Sequence, residues 1–132
     1  MPFSPLGCGF LSGRVTSIDA LDNADLRRGL PRFQGDSFER NLELVAQFEV
    51  FAAKRAATPS QLSLAWILAK GENIIPIPGT KRRSHLESNA AATEIALSPL
   101  EAAQLDALFF SGAAVGERYN EQMAQWVDHT TP

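Results

Sequence analysis

The residues best placed to do chemistry lie close together between Ile74 and Asn89. An apolar run, Ile74 to Ile77, meets a turn at Pro78-Gly79, and Lys81, Arg82 and Arg83 then carry three adjacent cations into a predicted helix. Ser84 and Glu87 have the Ser-x-x-Glu spacing of a capping box, which makes Ser84 the expected N-cap. A glycine turn ahead of a helix start leaves backbone N–H groups pointing outward, and the helix dipole adds partial positive charge there. In a chain of net charge −3, that concentration of positive charge predicts an anion site. The alternative is that the cations only cap and solubilise the helix, as charge runs commonly do.

Ile77-Pro78-Gly79-Thr80-Lys81-Arg82, followed by Leu86-Glu87-Ser88-Asn89, resembles the cofactor-binding segment of aldo-keto reductases. The resemblance places this segment on the last barrel strand and the helix after it, where that family grips the adenosine 2′-phosphate of NADP(H). It implies that Gly79 lets backbone approach the phosphate, that Thr80 donates a hydrogen bond, and that Lys81 pairs with the 2′-phosphate. Arg82 and Arg83 are alternates for that pairing, and Asn89 matches the residue that reads the adenine amino group. Two positions depart from the pattern. His85 stands where relatives carry Arg or Gln, and a neutral imidazole grips phosphate more weakly. Ser88 stands where Glu is usual, which thins the adenine contacts.

Phe3-Ser4-Pro5-Leu6-Gly7, followed by Gly9-Phe10-Leu11, resembles the end of the same family's seventh strand and its loop. The resemblance implies that Phe3 stacks on the nicotinamide and that the loop wraps the pyrophosphate. Cys8 sits where many relatives have Arg, which removes one phosphate contact. The expected cofactor-binding set is therefore Phe3, Ser4, Pro5, Leu6, Gly7, Ile77, Gly79, Thr80, Lys81, Arg82, His85, Ser88 and Asn89.

In that family a Tyr supplies the acid for hydride transfer to a carbonyl, a Lys and an Asp tune it, and a His orients the substrate. The resemblance places all four in the first half of the barrel. The single tyrosine here, Tyr119, lies in the tail and matches no catalytic motif, and His129 is near the C-terminus. Cys8 has no histidine near it in sequence to activate it as a nucleophile. No catalytic residue and no metal site are expected in this chain.

The bulk of the sequence fits that assignment. Its 132 residues suffice for one domain, and 45% apolar with 20% charged residues is a globular rather than a disordered composition. Mild acidity gives no reason to expect nucleic acid or a membrane surface as partner. One cysteine excludes an internal disulfide framework and fits a reducing compartment. With no signal peptide or spanning segment, the expected location is the cytoplasm. The oligomeric state is left open.

Positions 1–13 read as a turn-rich strand end and loop, and 14–37 as a long surface loop. Arg27, Arg28 and Arg32 there either approach an anion or serve solvation and structure. Phe38, Leu42, Val45, Phe48 and Ala52 fall at helical spacing, widened by Leu44 and Phe51, so a helix is expected from about Phe38 to Arg55. Thr58-Pro59-Ser60-Gln61 starts a second helix with a capping box and a buried face of Leu62, Ala65, Trp66 and Ala69, and Gly71 ends it. Ile74 to Ile77 reads as a strand covered on both faces, although Pro76 cannot donate to a ladder. A helix follows over 84–94, and Ser98-Pro99-Leu100-Glu101 opens another that runs to about Leu108. Met123, Trp126 and Val127 fit a short amphipathic helix. Gly116-Glu117-Arg118-Tyr119 is similar to a tail pattern of some aldo-keto reductase branches.

Strands alternating with helices imply an α/β fold. Only two strands are expected, whereas a (β/α)8 TIM barrel has eight and about 250 residues. The expected architecture is thus the C-terminal fragment of such a barrel, about two βα units with extra helices and a tail. The apolar faces of these helices would lack their usual strands, and the isolated chain is expected to be marginally stable. The resemblance implies the cofactor half of an NADP(H)-dependent reductase of aldehydes or ketones. A nonenzymatic regulatory or channel-associated relative, an inactive truncated fragment and a plain anion-binding piece are the alternatives.

Overall fold

The computed structural model describes residues 1, 2 and 4–127. Among these residues five α-helices follow one another: α1 Gly35–Lys54, α2 Pro59–Leu68, α3 Arg83–Ala91, α4 Pro99–Leu108 and α5 Glu121–Ala124. Short 3₁₀ segments, Gly7–Ser12, Leu26–Gly29, Pro31–Phe33 and Ala92–Glu94, join them.

The organising element is α1, because its apolar stripe feeds two cores. Phe38 and Val45 pack with Phe10, Val15, Leu30 and Phe33 at one end. One turn further on, Phe48 and Ala52 pack with Leu62 of α2 and Leu105 of α4. Phe10 meets Phe33 with ring centroids 4.6 Å apart and Phe38 at 5.5 Å. In the second core Phe48 stands edge-on to Phe109 at 5.2 Å. Burying one such side chain stabilises a fold by about 1.5–3 kcal/mol, so these aromatic clusters outweigh the surface ion pairs.

The segment 14–37 is more than a surface loop. Leu30 and Phe33 are buried, and its arginines are structural. Arg27 pairs with Asp25 at 2.6 Å, Arg28 donates to the carbonyl of Leu21 at 3.0 Å, and Arg32 donates to that of Gly116 at 3.1 Å. Asn41 of α1 is buried and joins this segment to the tail: it donates to the carbonyls of Arg32 (3.1 Å) and Val115 (2.9 Å) and accepts from the Val115 N–H (2.8 Å). Gly116 closes the junction. Its φ of 87° lies in the left-handed region, and a Cβ there would stand 3.1 Å from the Pro31 carbonyl.

Capping chemistry sets the helix starts. Thr58 with Gln61 and Ser98 with Glu101 both form complete capping boxes, each with proline in the first turn. Ser84 does not act as the third. Helix α3 begins one residue earlier with Arg82 at its N-cap and no side-chain cap, and Glu87 turns instead to Arg83 at 2.8 Å. Helix α2 stops at Leu68 on Ala69, which is exposed rather than part of the buried face, and Gly71 does not supply a left-handed cap. The tail helix covers only Glu121–Ala124; Met123 packs against the first core, whereas Trp126 is 78% exposed.

The two expected strands do not form among the described residues. Among the described residues, Ile77 is the position from Ile74 to Ile77 that bridges a neighbour, its N–H reaching the Pro2 carbonyl at 3.3 Å. A central parallel strand donates to a ladder along its length, and Pro76 has no N–H to offer one. Ile75 and Ile77 accordingly stay at least half exposed instead of covered on both faces. The α/β expectation is therefore met by a helical assembly with one backbone bridge in place of a sheet.

Candidate functional site

Two separated stretches meet at the start of α2. Ser4, Pro5, Leu6, Cys8, Gly9, Ser12 and Arg14 form one wall of a cleft of about 520 Å³. Pro78, Gly79, His85, Ser88 and Asn89 form the other, and Thr58, Pro59 and Ser60 make the floor. That volume lies within the range of roughly 300–1,000 Å³ typical of small-molecule sites.

The first wall is a wound backbone. Ser4 (φ 49°) and Cys8 (φ 57°) are non-glycine residues in the left-handed region, which costs energy and persists only where the surroundings enforce it. Four hydrogen bonds do so. The N–H of Gly7 donates to the Ser4 carbonyl and that of Gly9 to the Leu6 carbonyl, both at 3.0 Å. Ser63 of α2, fully buried, donates its hydroxyl to the Pro5 carbonyl at 2.8 Å. Arg27 donates to the Cys8 carbonyl at 3.3 Å while Asp25 grips its other face. The hydrogen bonds from Arg27 hold the Asp25 carboxyl down at about 2, below the usual carboxylate range, and the same partnership raises Arg27 further.

The second wall is one face of α3. His85, Ser88 and Asn89 recur at helical spacing and are half-buried along the cleft, with Gly79 just ahead of them. Because Arg82 provides no side-chain cap, the first N–H groups of α3 have no side-chain acceptor from their N-cap. Among the described residues, the side chains of His85 and Arg14 make no hydrogen bond or ion pair.

Seven of the sequence-derived site residues thus share one cleft: Ser4, Pro5, Leu6, Gly79, His85, Ser88 and Asn89. Gly7 lines a smaller, more apolar cavity of about 230 Å³ that shares Ser4, Pro5 and Cys8 with the cleft. Ile77, Thr80, Lys81 and Arg82 are off the lining; Lys81 and Arg82 are exposed, and Thr80 donates to the Arg82 carbonyl at 3.2 Å. Gly79 has no positive φ and open space where a Cβ would be. Phe3 and His129 lie outside the described residues. Tyr119 lines neither cavity; Arg118 sits over its ring at 5.7 Å. Sequence reading did not count Arg14, Ser63 or the residues at the start of α2 among the site residues. A cation directly after Gly13 was the signal available for Arg14, whereas nothing local marks Ser63.

Among the described residues no group of three or more His, Cys, Asp or Glu side chains is arranged to hold a metal ion, and no helix is long and apolar enough to cross a membrane.

The model of the Aldo/keto reductase family matches residues 1–109, and the chain belongs to that family. It is 44% identical over 117 residues to the aldo-keto reductase yakc of Schizosaccharomyces pombe, whose name specifies NADP(+); the match covers 89% of this chain and 34% of that protein. It is 40% identical over 126 residues to the aldo-keto reductase str7 of Strobilurus tenacellus, covering 96% of this chain and 38% of that one. The chain spans little more than a third of the length of these curated relatives.

Proposed function

We propose that this chain is the dinucleotide-holding, C-terminal part of an NADP(H)-dependent oxidoreductase of the (β/α)8 barrel type, which reduces aldehydes or ketones to alcohols. The observation that carries the reading is the convergence of Ser4–Leu6 with Gly79, His85, Ser88 and Asn89 on one cleft, though some seventy residues separate the two stretches. The name of the yakc relative supports NADP(H) as the cofactor.

The cleft has the donors such a ligand requires. Asn89 offers an amide able to both donate and accept against an adenine edge, and Ser88 adds a hydroxyl. Arg14 supplies a permanent charge for phosphate oxygens. The open N-terminus of α3 contributes backbone N–H groups and dipole. Lys81 and Arg82, exposed just beyond Gly79, add positive charge at the cleft's mouth and draw in a 2′-phosphate. When bound, the nicotinamide group supplies the hydride. This chain's residues bind and orient the dinucleotide, and none of them is assigned the acid for carbonyl reduction.

Titration of the purified chain with NADPH, NADH and inorganic phosphate separates the readings. Tight binding of NADPH with NADH at least tenfold weaker is expected. Equal weak binding of all three would reduce the cleft to a plain anion site.

A further inference from the structure

We infer that Asp25 and Arg27, which do not line the cleft, are positioning residues for the dinucleotide: together they fix the Cys8–Gly9 peptide in the orientation that the first wall turns to a ligand. The inference deepens the dinucleotide reading and rests on it.

The pair is assembled locally. Asp25 caps the 3₁₀ segment Leu26–Gly29, and its Oδ1 accepts from the Arg27 N–H and from Arg27 Nε, both at 2.9 Å. Oδ2 accepts from Nη2 at 2.6 Å. Three bonds between residues two apart fix the plane of the guanidinium before any distant partner is met. The nitrogen left over, Nη1, reaches the Cys8 carbonyl at 3.3 Å, nineteen residues earlier in the chain. Gly9 makes the approach possible, since a Cβ there would stand 3.2 Å from Nη1.

What Arg27 holds is one end of a peptide unit whose other end is already fixed. The N–H of Gly9 donates to the Leu6 carbonyl at 3.0 Å, and the C=O of Cys8 receives Nη1. Gly7, Cys8 and Gly9 run through the left-handed region at φ 56°, 57° and 94°. Glycine adopts that region freely, whereas the cysteine does so at a cost and relaxes when a restraint is lost. Cys8 and Gly9 both line the cleft, so the relaxation is felt by whatever lies against the first wall. The ion pair itself is part-exposed, and such pairs add little to stability. Its effect falls on the shape of the loop. Lysine in place of Arg27 could not keep the two-point grip on Asp25 while reaching Cys8.

Two ligands separate positioning from general weakening. NADPH would span both walls, whereas adenosine 2′-monophosphate carries only the groups assigned to the second wall. The test is calorimetric titration of the full chain at neutral pH with NADPH, and with adenosine 2′-monophosphate by displacement of NADPH. It uses the natural protein, Arg27→Ala, Asp25→Asn and Arg28→Ala, with circular dichroism checking that each variant keeps its helices. Arg28 reaches the Leu21 carbonyl and not the loop, so its removal takes away the same charge without touching the first wall. Arg27→Ala should bind NADPH about tenfold more weakly, and Asp25→Asn should lose affinity in the same direction by a smaller factor. Affinity for adenosine 2′-monophosphate should be unchanged in both, and Arg28→Ala should match the natural protein with either ligand. Full NADPH affinity in Arg27→Ala would overturn the inference. So would an equal loss for both ligands, which marks an ordinary structural role, or a loss in Arg28→Ala as large as in Arg27→Ala, which marks missing charge alone. Full affinity in Asp25→Asn would overturn the part given to Asp25. All of these leave the dinucleotide reading standing, whereas failure of the natural protein to bind NADPH would overturn both.

Discussion

Ser63 is where the fold takes hold of the site, and removing its hydroxyl tests that link. The side chain is fully buried on α2 and gives its one hydrogen bond to the carbonyl of Pro5, itself buried, in the middle of the wound first wall. Ser63→Ala deletes the donor and leaves that acceptor unpaired. Stranding a buried acceptor costs about 1–3 kcal/mol, and the lower half of that range applies because Pro5 borders two cavities through which water reaches it. With a slope of roughly 2 kcal/mol per molar urea, the midpoint of unfolding should fall by about 0.5–1 M. The second consequence separates this site from an ordinary core position. Ser4 and Cys8 hold left-handed conformations on either side of Pro5, and a slack loop relaxes them away from the cleft. NADPH affinity should therefore fall about tenfold, whereas Ser60→Ala, which trims a hydroxyl on the cleft floor, should leave the urea midpoint unchanged. Urea titration followed by circular dichroism, with NADPH titration alongside, reads both effects. A Ser63→Ala protein with unaltered midpoint and affinity would refute the tethering.

Two other predictions concern the segment 14–37 and its junction with the tail. Asp25 is held at about 2 by its hydrogen bonds from Arg27. A carboxylate depressed in the folded state contributes stability above its ordinary value near 3.8 and loses it as pH falls toward 2, so Asp25→Asn should flatten acid unfolding over that window. Carboxyl carbon shifts measured by NMR between pH 5 and 1.5 check it, and a midpoint near 3.8 for Asp25 would contradict the pairing. Gly116→Ala should destabilise by about 1–3 kcal/mol, since a side chain there meets both a positive φ and the Pro31 backbone. An unchanged urea midpoint would show that the tail junction yields.

What was legible in the sequence was local. The boxes at Thr58 and Ser98 depend on four consecutive residues, and both formed. The stripe from Phe38 to Ala52 depends on the period of one helix, and α1 starts only a few residues earlier than that stripe implies. The same spacing misleads at Ser84, where Arg83 competes for Glu87 and α3 begins one residue early. Burial of Leu30 and Phe33, and the polar clamps of Asn41 and Ser63, join positions nine to seventy-four residues apart. No window of residues encodes such partners. The cleft itself was half legible: the motif residues of both walls were identified, but which cations line it depends on how α3 is rotated against α2. The strand at Ile74–Ile77 fails for a related reason, since a sheet is a property of neighbours and, among the described residues, the backbone partner it meets is the Pro2 carbonyl.

The central claim is that a 2′-phosphorylated dinucleotide occupies the cleft between the two walls. Mapping backbone amide shifts in ¹H–¹⁵N spectra as NADPH is added tests it most directly. The account predicts saturable movement of Leu6, Arg14, Gly79, His85, Ser88 and Asn89, with Gly79 to Asn89 moving much less under NADH. Saturable movement confined to residues remote from both walls, or equal responses to the two nucleotides, would contradict it.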